Sequence, residues 1–170
     1  MVMHFMRHAP VKRHASLQLF SRDHHGSLVV TQVLIRSAQG AATDRHRAIE
    51  DFLKAWSAEI SQHLADEERL LTPLMGELDV QRLQKEHATL RALASEADLR
   101  RDQKDPPGDW MRRFGHTLED HIRWEERQLF AIIERAATPE QLQQLGAETR
   151  KIESTRPRAQ RGHRGQGKRG

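Results

Sequence analysis

The sequence predicts an all-α protein: an up-down-up-down antiparallel four-helix bundle, then a short C-terminal fifth helix and a disordered basic tail. Ala, Leu, Glu, Arg and Gln dominate and aromatic residues make up only 5%, which favours helix over sheet. Apolar residues recur every three or four positions in four segments, as on one face of a helix. The connections between these segments are short, which is typical of helices that run antiparallel to their neighbours.

The first half of the chain is predicted to form an N-terminal segment and two helices. Residues 1–20 are irregular but contain apolar side chains that can pack on one end of a bundle. Ser21 is a good N-cap for the first helix. Thr43 or Asp44 caps the second helix, which is expected to end at Pro73 because proline cannot continue a helix.

The second half adds two more long helices and a short one. Asp79 and Asp109 are the predicted N-caps of the third and fourth helices. Thr138 followed by Pro139 is typical of an N-cap and first helical position, so a fifth helix begins there. The predicted units are an N-terminal segment at 1–20, a bundle at 21–136, a short helix at 138–153 and a tail at 154–170.

The charge is concentrated in the tail. Eight of the 28 Lys and Arg residues, but only one of the 24 acidic residues, lie in 150–170, so the rest of the chain has a net charge of −3. The Arg/Gly-rich composition of 154–170 predicts disorder and gives a weak indication of nucleic-acid binding. No apolar run is long enough to span a membrane, and a cytoplasmic location is expected.

One motif occurs twice and indicates a metal site. His63 and Glu67 stand four residues apart in an H-x-x-x-E-E sequence, and so do His121 and Glu125. On an α-helix, residues i and i+4 lie on the same face, so each motif directs an imidazole and a carboxylate the same way. The next residues, Glu68 and Glu126, are expected to face away from this site.

Two further histidines complete a set with one donor group on each helix. His87 follows an acidic residue on the third helix, and His24 does so on the first. His25 is the alternative donor on the first helix. His24 is favoured because it keeps helical spacing with Phe20 and Leu28, whereas His25 falls on a more polar face.

A single histidine on an apolar face is more often a hydrogen-bonded core residue than a ligand. Here, however, four imidazoles and two carboxylates fall together on faces predicted to be buried. Burying them without a partner would cost several kcal/mol for each group. Because metal ions remove that cost, a metal site is predicted; Fe, Mn and Zn all accept this donor set. The chain has no Cys, so it has neither disulfides nor thiolate ligands.

These motifs resemble the hemerythrin-like HHE cation-binding family over roughly residues 14–135, notably in the sequence around His24 and in H-x-x-x-E-E-x-x-L-L-x-P at 63–73. The resemblance implies a non-haem centre of two iron ions, with Glu67 and Glu125 as bridges. It implies that the terminal ligands are His63, His87, His121 and His24 or His25.

Two departures from that family bear on function. Oxygen-carrying members have a second His one turn after the third-helix His, where this chain has Arg91; their last carboxylate is an Asp one residue beyond Glu125. The resemblance therefore implies sensing or handling of O₂, NO, redox state or iron through an open coordination site, rather than simple O₂ carriage.

The alternatives are a di-iron oxidoreductase acting on peroxide or NO, and an iron–sulfur repair-like protein. Repair proteins usually carry a Cys-containing N-terminal segment, which a chain without Cys lacks. A metal-binding or sensing protein is favoured over an enzyme. The expected partners are O₂, NO or another small ligand, together with an unidentified protein.

Overall fold

The computed structural model describes residues 12–157, and this part of the chain is helical throughout, with no β-strand. The predicted disordered tail begins at residue 154, but helix continues to Thr155 and the described chain to residue 157. Residues 158–170 and 1–11 lie outside the described residues. None of the helices in 12–157 combines the length and the apolar character needed to cross a membrane.

The described chain begins with a short 3-10 turn at Ala15–Leu17, and five helices follow it. Helix α2 covers residues 42–70 and α4 covers residues 108–136, and each contains one turn of π-helix. The bounds are α1 Gln18–Ser37; α2 Ala42–Ala55, π-turn Trp56–Ile60 and Ser61–Leu70; α3 Glu77–Arg100; α4 Gly108–Trp124, π-turn Glu125–Leu129 and Phe130–Ala136; and α5 Pro139–Thr155.

Helix α1 packs against α2 and α4, and α3 packs against the same two helices from the other side. Two apolar clusters lie within this arrangement. One includes Phe52 and Phe114; the other includes Phe20 and Phe130, and is joined by Leu145 of α5. Along α3, His87 stands between Leu83 of the second cluster and Leu90 of the first. The histidine therefore lies between the two apolar clusters.

The first helix begins earlier than its sequence predicts. Ser21 lies inside α1, because the 3-10 turn at Ala15–Leu17 leads directly into helix at Gln18. The side chain of His14 accepts a hydrogen bond from the Ser16 N–H and so caps this turn. The prediction of Ser21 as N-cap is therefore wrong.

The predicted caps of α2, α3 and α4 are also displaced. Asp44, Asp79 and Asp109 lie in the first turn of their helices rather than at the N-cap position, which has no side-chain hydrogen bond in any of the three. Acidic residues in the first turn still stabilise the helix, because the helix N-terminus carries partial positive charge. The prediction for α5 is confirmed: Thr138 and Gln141 form a capping box, with Pro139 at the first helical position.

The start of α4 lies close against the end of α1. A Cβ atom on Gly108 would overlap the backbone carbonyl oxygen of Ala38. Glycine allows this close approach because it has no side chain. The contact fixes the spacing of the two helices at the end remote from the polar site.

Candidate metal centre

Six polar side chains from four helices meet between the two apolar clusters. None of them exposes more than 4% of its surface, and they form two groups that share Glu67 and Glu125. Within each group, the four candidate ligand atoms lie within 4.8 Å of one another. The first group also contains His24 and His63, and the second also contains His87 and His121.

In the first group, both imidazoles turn Nε2 toward the shared carboxylates. Nε2 of His24 lies 3.0 Å from Oε2 of Glu125 and 3.3 Å from Oε1 of Glu67. Nε2 of His63 lies 3.0 Å from the same Oε1 atom of Glu67. Two nitrogens and two carboxylates therefore face one small volume.

The second group repeats this arrangement with the other two imidazoles. Nε2 of His87 lies 3.5 Å from Oε2 of Glu67, and Nε2 of His121 lies 3.4 Å from Oε2 of Glu125. The two Nε2 atoms are themselves 3.1 Å apart. Each shared carboxylate thus contacts imidazoles of both groups.

Six polar atoms at this centre lack hydrogen-bond partners although they are buried. Nε2 of His24 and of His63, and both carboxylate oxygens of Glu67 and of Glu125, are unsatisfied despite their short separations. Buried polar atoms are rarely left unpaired, because each costs free energy. Coordination of a divalent cation would satisfy them, and imidazole and carboxylate are ligands that such ions accept. The residues present therefore fit a metal centre.

A second set of four carboxylates, the outer carboxylates, accepts a hydrogen bond from Nδ1 of each of the four histidines. A carboxylate can only accept, so each Nδ1 carries a proton, and Nε2 is left as the ring nitrogen that can bind a metal ion at the centre. The Nδ1–oxygen distances are 2.7 Å for His24 to Glu126, 3.2 Å for His63 to Asp23, 2.9 Å for His87 to Glu68 and 2.7 Å for His121 to Glu86.

The expectation that Glu68 and Glu126 face away from the site is wrong. Each lies one position beyond a shared carboxylate and points toward the neighbouring helix, where it accepts a hydrogen bond from that helix's histidine. Asp23 and Glu86, one position before a candidate ligand, do the same. The four contacts therefore run in order from α1 to α2, α2 to α3, α3 to α4 and α4 back to α1.

Each of the four outer carboxylates forms an ion pair with an arginine. These ion pairs were not predicted from the sequence. Only the Arg82–Glu86 pair is local, with i, i+4 spacing that could have been recognised. The pairs and their shortest distances are Arg13–Glu126 at 3.1 Å, Arg82–Glu86 at 2.7 Å, Arg91–Glu68 at 2.8 Å and Arg156–Asp23 at 2.6 Å.

The electrostatics of the metal-free centre favour a protonated His24 and His63 and an ionised Glu67. Burial lowers the pKa of His24, but the nearby carboxylates of Glu125, Glu126 and Glu67 together outweigh it, and the pKa is raised well above its usual value. Burial likewise opposes the charge on His63, yet Glu67 raises the pKa of this residue to about 9. Burial raises the pKa of Glu67, but the charge of His63 holds it well below its usual value. A bound metal ion would replace the imidazole protons that face the centre.

The structure brings together six of the seven candidate ligands and leaves His25 out. His24 is 2% exposed and reaches the centre, whereas His25 is exposed to solvent on the next position of α1. This arrangement favours His24 over His25 as the donor of the first helix.

The two π-turns were not predicted, and both lie beside this centre. One begins at Glu125, and the other ends at Ile60, three positions before His63. A π-turn inserts an extra residue into a helical turn and is frequently found at functional sites. Each π-turn changes which residues share a helix face on one side of the candidate ligands. A prediction that uses a constant period of 3.6 residues does not include this change.

The chain matches one family model, the hemerythrin HHE cation-binding domain, over residues 16–133. This range contains all six central residues and the four outer carboxylates. It does not contain Arg13, Arg156 or helix α5. Comparison with curated proteins and with solved structures gives no match.

Proposed function

Because the chain belongs to the hemerythrin HHE cation-binding domain family, we propose that it binds two iron ions and uses them to sense or handle O₂, NO or redox state. The observation that carries this proposal is the convergence of four imidazole Nε2 atoms on two shared, buried carboxylates. Six of the atoms there have no hydrogen-bond partner, as expected of ligands.

The proposed ligand assignment follows the two groups. His24 and His63 would hold one ion, His87 and His121 would hold the other, and Glu67 and Glu125 would bridge them. Each ion would then have two imidazoles and two carboxylates from the chain, which leaves coordination positions open. When bound, iron would supply reversible electron transfer and a position for a small ligand. Mn or Zn could occupy the same donor set.

The proposal includes an up-down-up-down order of α1 to α4. The end of α1 meets the start of α4 where Ala38 approaches Gly108, while His24, early in α1, bonds Glu126, late in α4. These two contacts support an antiparallel pair. The short connection over residues 71–76 supports the same relation between α2 and α3.

The surroundings of the centre keep the imidazoles oriented and exclude water. The ring of Phe130 stacks on His24 with centroids 5.5 Å apart, and the edge of Phe20 meets His63 at 5.8 Å. On the other side, Trp124 lies 6.1 Å from His121. Apolar walls strengthen electrostatic interactions inside the site, because little water screens them.

A groove of about 600 Å³ between α3 and α4 supports access for a small ligand. His121 and its partner Glu86 line it, together with Arg82, Lys85 and Leu90. Since one wall of the groove is a candidate ligand, we infer that external molecules approach the ion held by His87 and His121.

The same groove supports a second candidate, a di-iron oxidoreductase acting on peroxide or NO. An enzyme needs a route for substrate, and the groove offers one that reaches His121. An iron–sulfur repair activity is less well supported, because the chain has no Cys.

Metal analysis tests the shared part of both candidates. Protein expressed with added iron and purified without oxygen should contain two iron ions per chain, and its visible spectrum should change on exposure to air and reverse with dithionite. Less than one transition-metal ion per chain would contradict the proposal.

Stopped-flow mixing of the ferrous protein with peroxide or NO separates sensor from enzyme. Oxidation that stops after one equivalent supports sensing, whereas continued consumption in the presence of a reductant supports turnover.

A further inference from the structure

Helix α5 lies beyond the matched family range, yet the residue that follows it reaches the candidate metal centre. Arg156 donates from Nη1 to Oδ1 of Asp23 at 2.6 Å and from Nη2 to Oδ2 at 2.7 Å. The side chains of Arg156 and Asp23 are 22% and 16% exposed. This is a forked ion pair in which both carboxylate oxygens are held at once.

Asp23 transmits this contact to a candidate ligand. Its Oδ2 atom, which accepts from Arg156, also accepts from Nδ1 of His63 at 3.2 Å. Nε2 of His63 is one of the buried atoms without a partner, 3.0 Å from Glu67. A continuous series of contacts therefore runs from the end of α5 to the centre.

The position of Arg156 is fixed by the packing of α5. Leu145 is buried in the same apolar cluster as Leu17, and a Cβ on Gly146 would meet Ser16 at ordinary contact distance. Glu153 pairs with Arg22 of α1 at 2.6 Å. The helix is thus held against the start of α1, where Asp23 stands.

We propose that Arg156 is a positioning residue for the metal ion held by His24 and His63, so that α5 forms a functional part of the centre. The inference rests on the proposed di-metal function. The rigid fork orients both oxygens of Asp23, and Asp23 in turn fixes the ring of His63 with its Nε2 lone pair toward the metal.

The two metal positions differ in how their outer carboxylates are held. Arg91 and Arg82 belong to α3 and pair with the outer carboxylates of His87 and His121. Their side chains are 41% and 47% exposed. Arg156 comes from outside the four long helices and is half as exposed. Loss of Arg156 should therefore weaken the binding of the ion at His24 and His63 and leave the binding of the other ion nearly unchanged.

Cobalt(II) titration of the full chain, followed by visible absorption, tests this inference. Arg156→Gln should bind one of the two cobalt ions up to about tenfold more weakly, the lower end of the effect of removing the partner that bonds a ligand directly, because Arg156 acts one contact further out. Arg22→Gln is the matched control, because it removes another ion pair between α1 and α5 without touching Asp23. It should bind both ions with wild-type affinity.

Three further measurements separate positioning from a merely structural role. The metal-free Arg156→Gln protein should keep the wild-type helix content at the temperature of the titration, as measured by circular dichroism, so that weaker cobalt binding does not reflect unfolding. Because Arg156 acts through Asp23, the double variant Asp23→Asn, Arg156→Gln should bind cobalt no more weakly than Asp23→Asn alone. Arg156→Lys keeps the charge without the fork and should recover part of the lost affinity.

Wild-type affinity for both ions in Arg156→Gln would overturn the inference and leave the proposed function standing. An equal loss in Arg22→Gln would overturn it too, since stability of α5 alone would then explain the effect. A wild-type chain that binds no cobalt or iron would overturn the proposed function and this inference together.

Discussion

Replacing Glu67 with Gln should remove at least one metal ion and much of the stability that metal binding confers. Glu67 belongs to both groups of candidate ligands, so this one change affects both ions. Gln is nearly the same size, but it removes a negative charge and one acceptor oxygen. The side chain is fully buried, so the change alters the centre itself and not the protein surface.

The size of the effect follows from the linkage between binding and folding. An ion that binds only the native protein stabilises it by about 4 kcal/mol at a free concentration of 1,000 times its dissociation constant. For a chain of this length, a change of about 1 kcal/mol moves the unfolding temperature by about 2–4 °C. Loss of one ion should therefore lower the melting temperature of the metal-loaded protein by about 8–16 °C.

The assay is thermal unfolding with metal and with chelator, together with metal content per chain. Asp66→Asn is the control, because Asp66 is also buried and precedes Glu67 but bonds Arg69 and Gln62 instead of a histidine. It should keep both ions. Two bound ions and an unchanged metal-dependent stabilisation in Glu67→Gln would refute the assignment of Glu67 as a bridge.

Three other predictions follow from the same geometry. Glu68→Gln should weaken the binding of one metal ion by about tenfold in a titration, because the outer partner of His87 loses its negative charge; unchanged affinity would show that this charge does not matter for binding. His24→Ala should lose metal while the exposed His25→Ala keeps it, as measured by metal content; equal losses would contradict the assignment on α1. Gly108→Ala should lower the free energy of unfolding in urea by about 1–3 kcal/mol, because the new methyl group overlaps the Ala38 carbonyl; a stability equal to wild type would show that the helices separate easily.

The sequence was enough to predict the helical class and the family, and it located the candidate ligands. His63 and Glu67, like His121 and Glu125, are related by the geometry of a single helix, and that geometry is set by local hydrogen bonds. The fifth helix was predictable for the same reason, since Thr138 and Gln141 form its capping box within one turn.

Local rules failed where a neighbouring part of the chain decides the structure. Ser21 has the chemistry of an N-cap, but the 3-10 turn before α1 starts the helix at Gln18. Helical period alone assigned Glu68 to the solvent side. Its partner His87 is on another helix, so only the packing of α2 against α3 shows that the carboxylate is part of the centre.

The outermost layer depends most on tertiary structure. Arg156 stands 133 positions from Asp23, and Arg13 stands 113 positions from Glu126. No local pattern connects such residues, because an ion pair requires two side chains to meet only in the folded chain. The sequence by itself determined which atoms are candidates for metal binding, since that depends on residue type and helical spacing. The tertiary structure decided which groups orient those atoms, because these groups come from neighbouring helices and from segments outside the four long helices.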